Sequence, residues 1–89
     1  MGTTIGLVLI SYDIDKLHSQ VKLELQTLGY YDSFKNDGDP KLYNLPNTTM
    51  WHKSKSSDQA MADLKRICFS LGVKIEKAVA VKAAEFVGF

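Results

Sequence analysis

The stretch TIGLVLISYDI, residues 4–14, decides how the rest of the chain is read. It is rich in β-branched and aliphatic side chains and almost continuous in apolarity. That pattern predicts a central strand, covered on one face and partly on the other. At its end stand Asp13 and, just beyond, Asp15, either of which can cap a helix, because a carboxylate oxygen accepts from the free N–H groups of a first turn. Over residues 15–28, Leu17, Val21, Leu25 and Leu28 fall on one stripe of a 3.6-residue period, with Lys16, Gln20, Lys22, Glu24 and Gln26 on the wet side. Gly29 is placed to end that helix in a left-handed conformation.

Further along, YYDSF at 30–34 reads as a second strand and TTMWHK at 48–53 as a third. Between them, residues 35–47 carry both prolines, Gly38, Asp37 and Asp39, which is turn chemistry. Ser56 followed by Gln59 fits a capping box. The helix it opens carries Ala60, Met61, Leu64, Ile67, Cys68 and Leu71 on one face, and Gly72 closes it. Val73, Ile75, Val79, Val81 and Ala83 then alternate with Lys74, Glu76 and Lys82, which predicts a fourth strand. The apolar tail 85–89 can add a short fifth. Thr27-Leu28-Gly29-Tyr30 and Ser70-Leu71-Gly72-Val73 are the same helix stop, each feeding a strand. Two strand–helix–strand units predict an α+β domain of ferredoxin-like βαββαβ order: a four-stranded antiparallel sheet with both helices on one face and the other face open.

Eighty-nine residues make one domain, 1–89. A chain of this size buries only about 60–65% of the surface it exposes when unfolded, so its margin is thin. Cys68 is the only cysteine, which excludes an internal disulfide and fits a reducing, cytoplasmic setting. Cys68, His18 and His52 lack the paired spacing of structural zinc. A net charge of +1 gives no global attraction for nucleic acid, so such binding would need a local basic patch. The apolar start is too short for a membrane span and lacks a basic flank.

Three places can carry chemistry. Asp13, where the first strand hands over to the first helix, can bind Mg²⁺, which takes one or two carboxylates and keeps several waters; equally, it can simply cap the helix. Met50-Trp51-His52-Lys53-Ser54-Lys55 interleaves two rings with two cations. Stacking on Trp51 with phosphate contacts from Lys53 and Lys55 is a way to hold a single strand. The alternative has Trp51 packing in a core or dimer, with the lysines solvated. His52 can act as a general base, although a lone strand histidine more often serves structure.

The element order, with its first strand ending in Ser11-Tyr12-Asp13-Ile14, resembles the CRISPR-associated small nuclease family (Cas-two). It also resembles that family's relatives, VapD-type toxins and small ferredoxin-like antitoxin ribonucleases. The resemblance implies a homodimer with paired Asp13 carboxylates binding a divalent metal for phosphodiester cleavage of RNA or DNA. It also implies a C-terminal segment, 86–89, crossing to the partner's sheet. Lys16 and His18 stand where that family often carries arginines. Two function classes stand side by side: nucleic-acid binding or Mg²⁺-dependent endonuclease action by a homodimer, with Asp13 as catalytic ligand, or, on the open sheet face, the apolar tail and the near-zero net charge, a non-catalytic module of antitoxin-like or phage-regulator type that binds a protein.

Overall fold

A computed structural model describes residues 2–35, 42–45 and 48–83. The elements run β1 (Gly6–Ile14), α1 (His18–Thr27), β2 (Ser33–Lys35), β3 (Leu42–Asn44), β4 (Thr49–Lys55), α2 (Ser57–Leu71) and β5 (Ile75–Lys82). β1 is central, pairing antiparallel with β4 on one side and β5 on the other. Its residues alternate as the strand pattern requires. Val8, Ile10, Tyr12 and Ile14 join Met50 in one buried cluster with Val21 and Leu25 of α1 and Ala60, Leu64, Ile67 and Cys68 of α2. Both helices thus cover the same face of the sheet, and Leu7, Leu9, Ser11 and Asp13 look the other way.

The expected four-stranded sheet is not what forms. Three strands pair in the order β4-β1-β5, while β2 pairs with β3 as a separate two-stranded hairpin. A bridge between Tyr31 and Trp51 ties the start of the hairpin region to the sheet, through Tyr31 N–H to Trp51 O at 2.8 Å and Trp51 N–H to Tyr31 O at 3.0 Å. The segment read as all turn holds a strand, Leu42–Asn44, which pairs with Ser33–Lys35. Most of the expected loop, 36–41 and 46–47, and the tail 85–89 with its expected fifth strand lie outside the described residues.

The second helix follows its sequence signals closely. The Ser56 hydroxyl accepts from Gln59 N–H at 3.1 Å, and the Gln59 side chain accepts from Ser56 N–H at 3.0 Å. Gly72 ends the helix at φ 70. The first helix departs from expectation. It begins at His18, after Leu17 in the left-handed region at φ 58, and has no side-chain cap. Neither aspartate caps it, because Asp15 is used elsewhere. Asp15 Oδ1 accepts from Lys74 N–H at 2.9 Å, and Asp15 N–H donates to Lys74 O at 3.2 Å, which ties the end of β1 to the approach of β5.

Two register shifts frame β1. Between Gly6 and Val8 the pairing passes from Lys55 to His52, which leaves two residues of β4, Lys53 and Ser54, opposite one of β1. Between Asp13 and Ile14 it passes from Lys77 to Ile75, which leaves Glu76 as an extra residue of β5. An extra residue of this kind turns all that follows to the opposite face. Hence Ala78 and Ala80 pack against the core, and Val79 and Val81 are exposed on the open face.

Leu64 is fully buried where α2 meets the sheet. Leu64→Ala is expected to lower stability by about 3 kcal/mol in urea denaturation, the range for a cavity at a buried leucine.

Candidate functional site

The two register shifts sort the candidate residues. Trp51 pairs with Leu9, so it shares the open face with Lys53, as alternation from the strand pattern expects. Lys53 is exposed, with its ammonium 5.4 Å from the centre of the Tyr31 ring. Lys55 does not join them. The extra residue in β4 pairs Lys55 with Gly6 and turns it to the helix side, where its ammonium bonds Asp63 of α2. The three proposed contacts thus divide into Trp51 with Lys53 on one face and Lys55 on the other.

Trp51 is half-buried. Its indole N–H donates to Ser33 O at 2.7 Å, and its ring lies 4.8 Å from that of Tyr31. The start of the β2–β3 hairpin therefore lies against the open face at the β4 side, with Phe34 buried outside the main core cluster. Among the described residues nothing covers the β1–β5 half: Leu9, Ser11, Asp13, Lys77, Val79 and Val81.

Asp13 is exposed at one end of that half, with Lys77 as its ladder partner. Both line an open depression of about 480 Å³ with Ser11, Tyr12, Thr48, Ala78 and Val79. Burial, with the charge of Cys68 adding, pushes the Tyr12 hydroxyl up to about 12, so it stays neutral and is no base at ordinary pH. Among the described residues, no three histidine, cysteine, aspartate or glutamate side chains gather where they could hold a metal. One carboxylate facing a lysine is a poor cation cage, so donors for Mg²⁺ would have to come from beyond these residues.

The sequence reading missed the densest polar cluster. Asp63 is buried on α2. Its Oδ2 accepts from the Tyr30 hydroxyl at 2.8 Å and from the Lys55 ammonium, and its Oδ1 accepts from Arg66 at 3.3 Å. The Lys55 ammonium also lies 5.4 Å from the Tyr30 ring centre. Burial, the Asp63 hydrogen bond and its charge all push the Tyr30 hydroxyl upwards, well away from ionising. A signal was present: an aspartate in the middle of an apolar helical face needs a partner once buried.

His52 sits beside this cluster, edge-on to Tyr30 with ring centres 5.0 Å apart. Its Nδ1 accepts from Ser54 N–H at 3.0 Å, which leaves Nε2 to carry the proton and donate to Leu28 O at 3.1 Å. Both ring nitrogens are engaged in holding the extra residue of β4 and the end of α1, so His52 serves structure. Gly29 makes the room, since a Cβ there would lie 3.0 Å from His52 Nε2.

No protein-family model, curated protein or solved structure matches this chain. The roles of these residues rest on their geometry.

Two expectations follow. Burial, chiefly, lowers the His52 pKa from its ordinary 6.5, and the Lys55 charge adds to this against the Leu28 hydrogen bond. The unfolded chain then takes the proton more readily, so the contribution to stability is complete above pH 6.5 and is lost as the pH falls towards and through the lower folded value. Denaturation midpoints across that window should fall with acidity, and less steeply in His52→Gln. Asp63→Ala should cost roughly 3 kcal/mol by chemical denaturation, because it leaves Lys55 and Tyr30 without their shared acceptor.

Proposed function

We propose that this chain is a non-catalytic interaction module that binds a protein partner through the uncovered half of its sheet face. The observation that carries the reading is the exposure of Val79 at 55% and Val81 at 44% beside Leu9. Contiguous apolar side chains left to water, rimmed here by Asp13 and Lys77, are the mark of an interaction surface. The near-neutral charge of +1 agrees with a protein partner better than with a polyanion. The scaffold we favour is ferredoxin-like, with Tyr31 standing where a fourth strand would run. A single free, buried cysteine fits a cytoplasmic setting. Among the described residues no helix is long and apolar enough to cross a membrane.

One observation favours a second reading. Lys53 over the exposed Tyr31 ring, next to Trp51, offers a cation and a stacking ring on one face, which suits single-stranded nucleic acid. The endonuclease version of that reading needs a homodimer to bring a second Asp13 and, with it, Mg²⁺.

The double variant Leu9→Thr/Val81→Thr keeps β-forming residues while making the face polar. Wild-type protein used as bait in extract of its source cells is expected to retain a protein that this variant loses. Labelled single-stranded RNA and DNA, offered over a salt series with and without Mg²⁺, decide the alternative. Salt-sensitive binding lost in Lys53→Ala, or Mg²⁺-dependent cleavage lost in Asp13→Ala, would replace the protein-binding reading.

A further inference from the structure

β5 is the outer strand of the sheet: among the described residues its far side pairs with nothing. Which of its main-chain groups face outwards follows from the phase of its ladder with β1. Ala83 N–H donates to Leu7 O at 2.8 Å, so Leu7 and Ala83 are a hydrogen-bonded pair. In an antiparallel ladder such pairs alternate with pairs that turn their groups away. Val81, Val79 and Lys77, opposite Leu9, Ser11 and Asp13, share the phase of Ala83 and spend their groups on β1. Ala78, Ala80 and Lys82 turn their N–H and C=O groups to the free edge.

Soluble proteins usually blunt an open edge with charges or proline along it. Here the middle of the edge, Ala78-Val79-Ala80-Val81, has neither, and the charged residues stand at its two ends, Glu76 and Lys77 at one and Lys82 at the other. We infer that β5 is a self-pairing edge, which joins a second copy of this chain antiparallel about a twofold axis at Val79.

Two features select that register. Ala78 lies opposite the partner's Ala80, and both are residues whose main-chain groups face outwards, so the pair exchanges two hydrogen bonds and its symmetry mate does the same. Glu76 lies opposite the partner's Lys82, which sets opposite charges across the strands twice over. Sliding the axis to Ala78 would set Lys74 against the partner's Lys82, and sliding it to Ala80 would set Lys82 against the partner's Ala78. Only the register centred on Val79 matches both hydrogen-bonding phase and charge. The two sheets then run on as one, and the exposed Val79 and Val81 of both copies meet on a shared face. The dimer extends the open face of the interaction module proposed above without covering it, and its test is separate from that reading.

Sedimentation across a concentration series is expected to give a reversible dimer. Glu76→Lys and Lys82→Glu should each weaken it about tenfold, since each puts like charges across both symmetry-related pairs. The double exchange Glu76→Lys/Lys82→Glu should restore it. Both sites are exposed, and circular dichroism is the check that each variant folds. In the dimer, the amides of Ala78, Ala80 and Lys82 should gain hydrogen-exchange protection that vanishes on dilution. A wild-type chain that stays monomeric overturns the inference. So does a dimer that single charge reversals leave unchanged, and that result would leave the sheet-face reading standing, with the copies meeting elsewhere.

Discussion

β1 is hydrogen-bonded on both flanks, and the phase of its two ladders determines where almost every other side chain of the sheet can go. A strand offers two faces in strict alternation, so an extra residue in a neighbour is a switch of face for everything beyond it. The switch in β4 carries Lys55 to the helix side. The switch in β5 sends the valines outwards and brings Ala78 and Ala80 inwards, against the core that α2 covers. The surface and the interior of this small domain are thus two results of the same pair of local irregularities.

The inward turn of Lys55 has an energetic counterpart. A lysine and an aspartate withdrawn from water must satisfy each other, and Asp63 does so with the Tyr30 hydroxyl and Arg66 completing its coordination. That carboxylate joins β4, the segment after α1 and the middle of α2. His52 reinforces the same junction from β4, with one ring nitrogen on the strand's own extra residue and the other on Leu28. Three segments distant in sequence are held by a few polar contacts at one corner of the core, in a chain too short to rely on apolar burial alone.

What could be read in the sequence was local. The capping box at Ser56 and Gln59, the left-handed stops at Gly29 and Gly72, the apolar face of α2 and the central strand are written in neighbouring residues. What could not be read was non-local. Asp15 looks like a cap until Lys74, distant in sequence, offers its main chain instead. Val79 and Val81 look like core because the extra Glu76 that turns them outwards is visible only against β1. Lys55 looks like a neighbour of Lys53 for the same reason. The strand at Leu42–Asn44 was hidden between two prolines, and with it the separate hairpin it forms with Ser33–Lys35. Asp13 is found at the strand end as read, but its one ladder partner with charge is a lysine.

The two glycines that close the helices look interchangeable in the repeated Leu-Gly stop, and their surroundings make them unequal. Around Gly72 a Cβ would meet nothing within 4 Å, so only the backbone restricts that site. Asparagine, which visits the left-handed region at small cost, suits it. Gly29 has the same kind of backbone at φ 94 and is also pressed by the imidazole of His52. Sequence drift at the first stop is therefore blocked twice over, while the second stands open to it, and the internal likeness of the two halves would erode from the Gly72 side first.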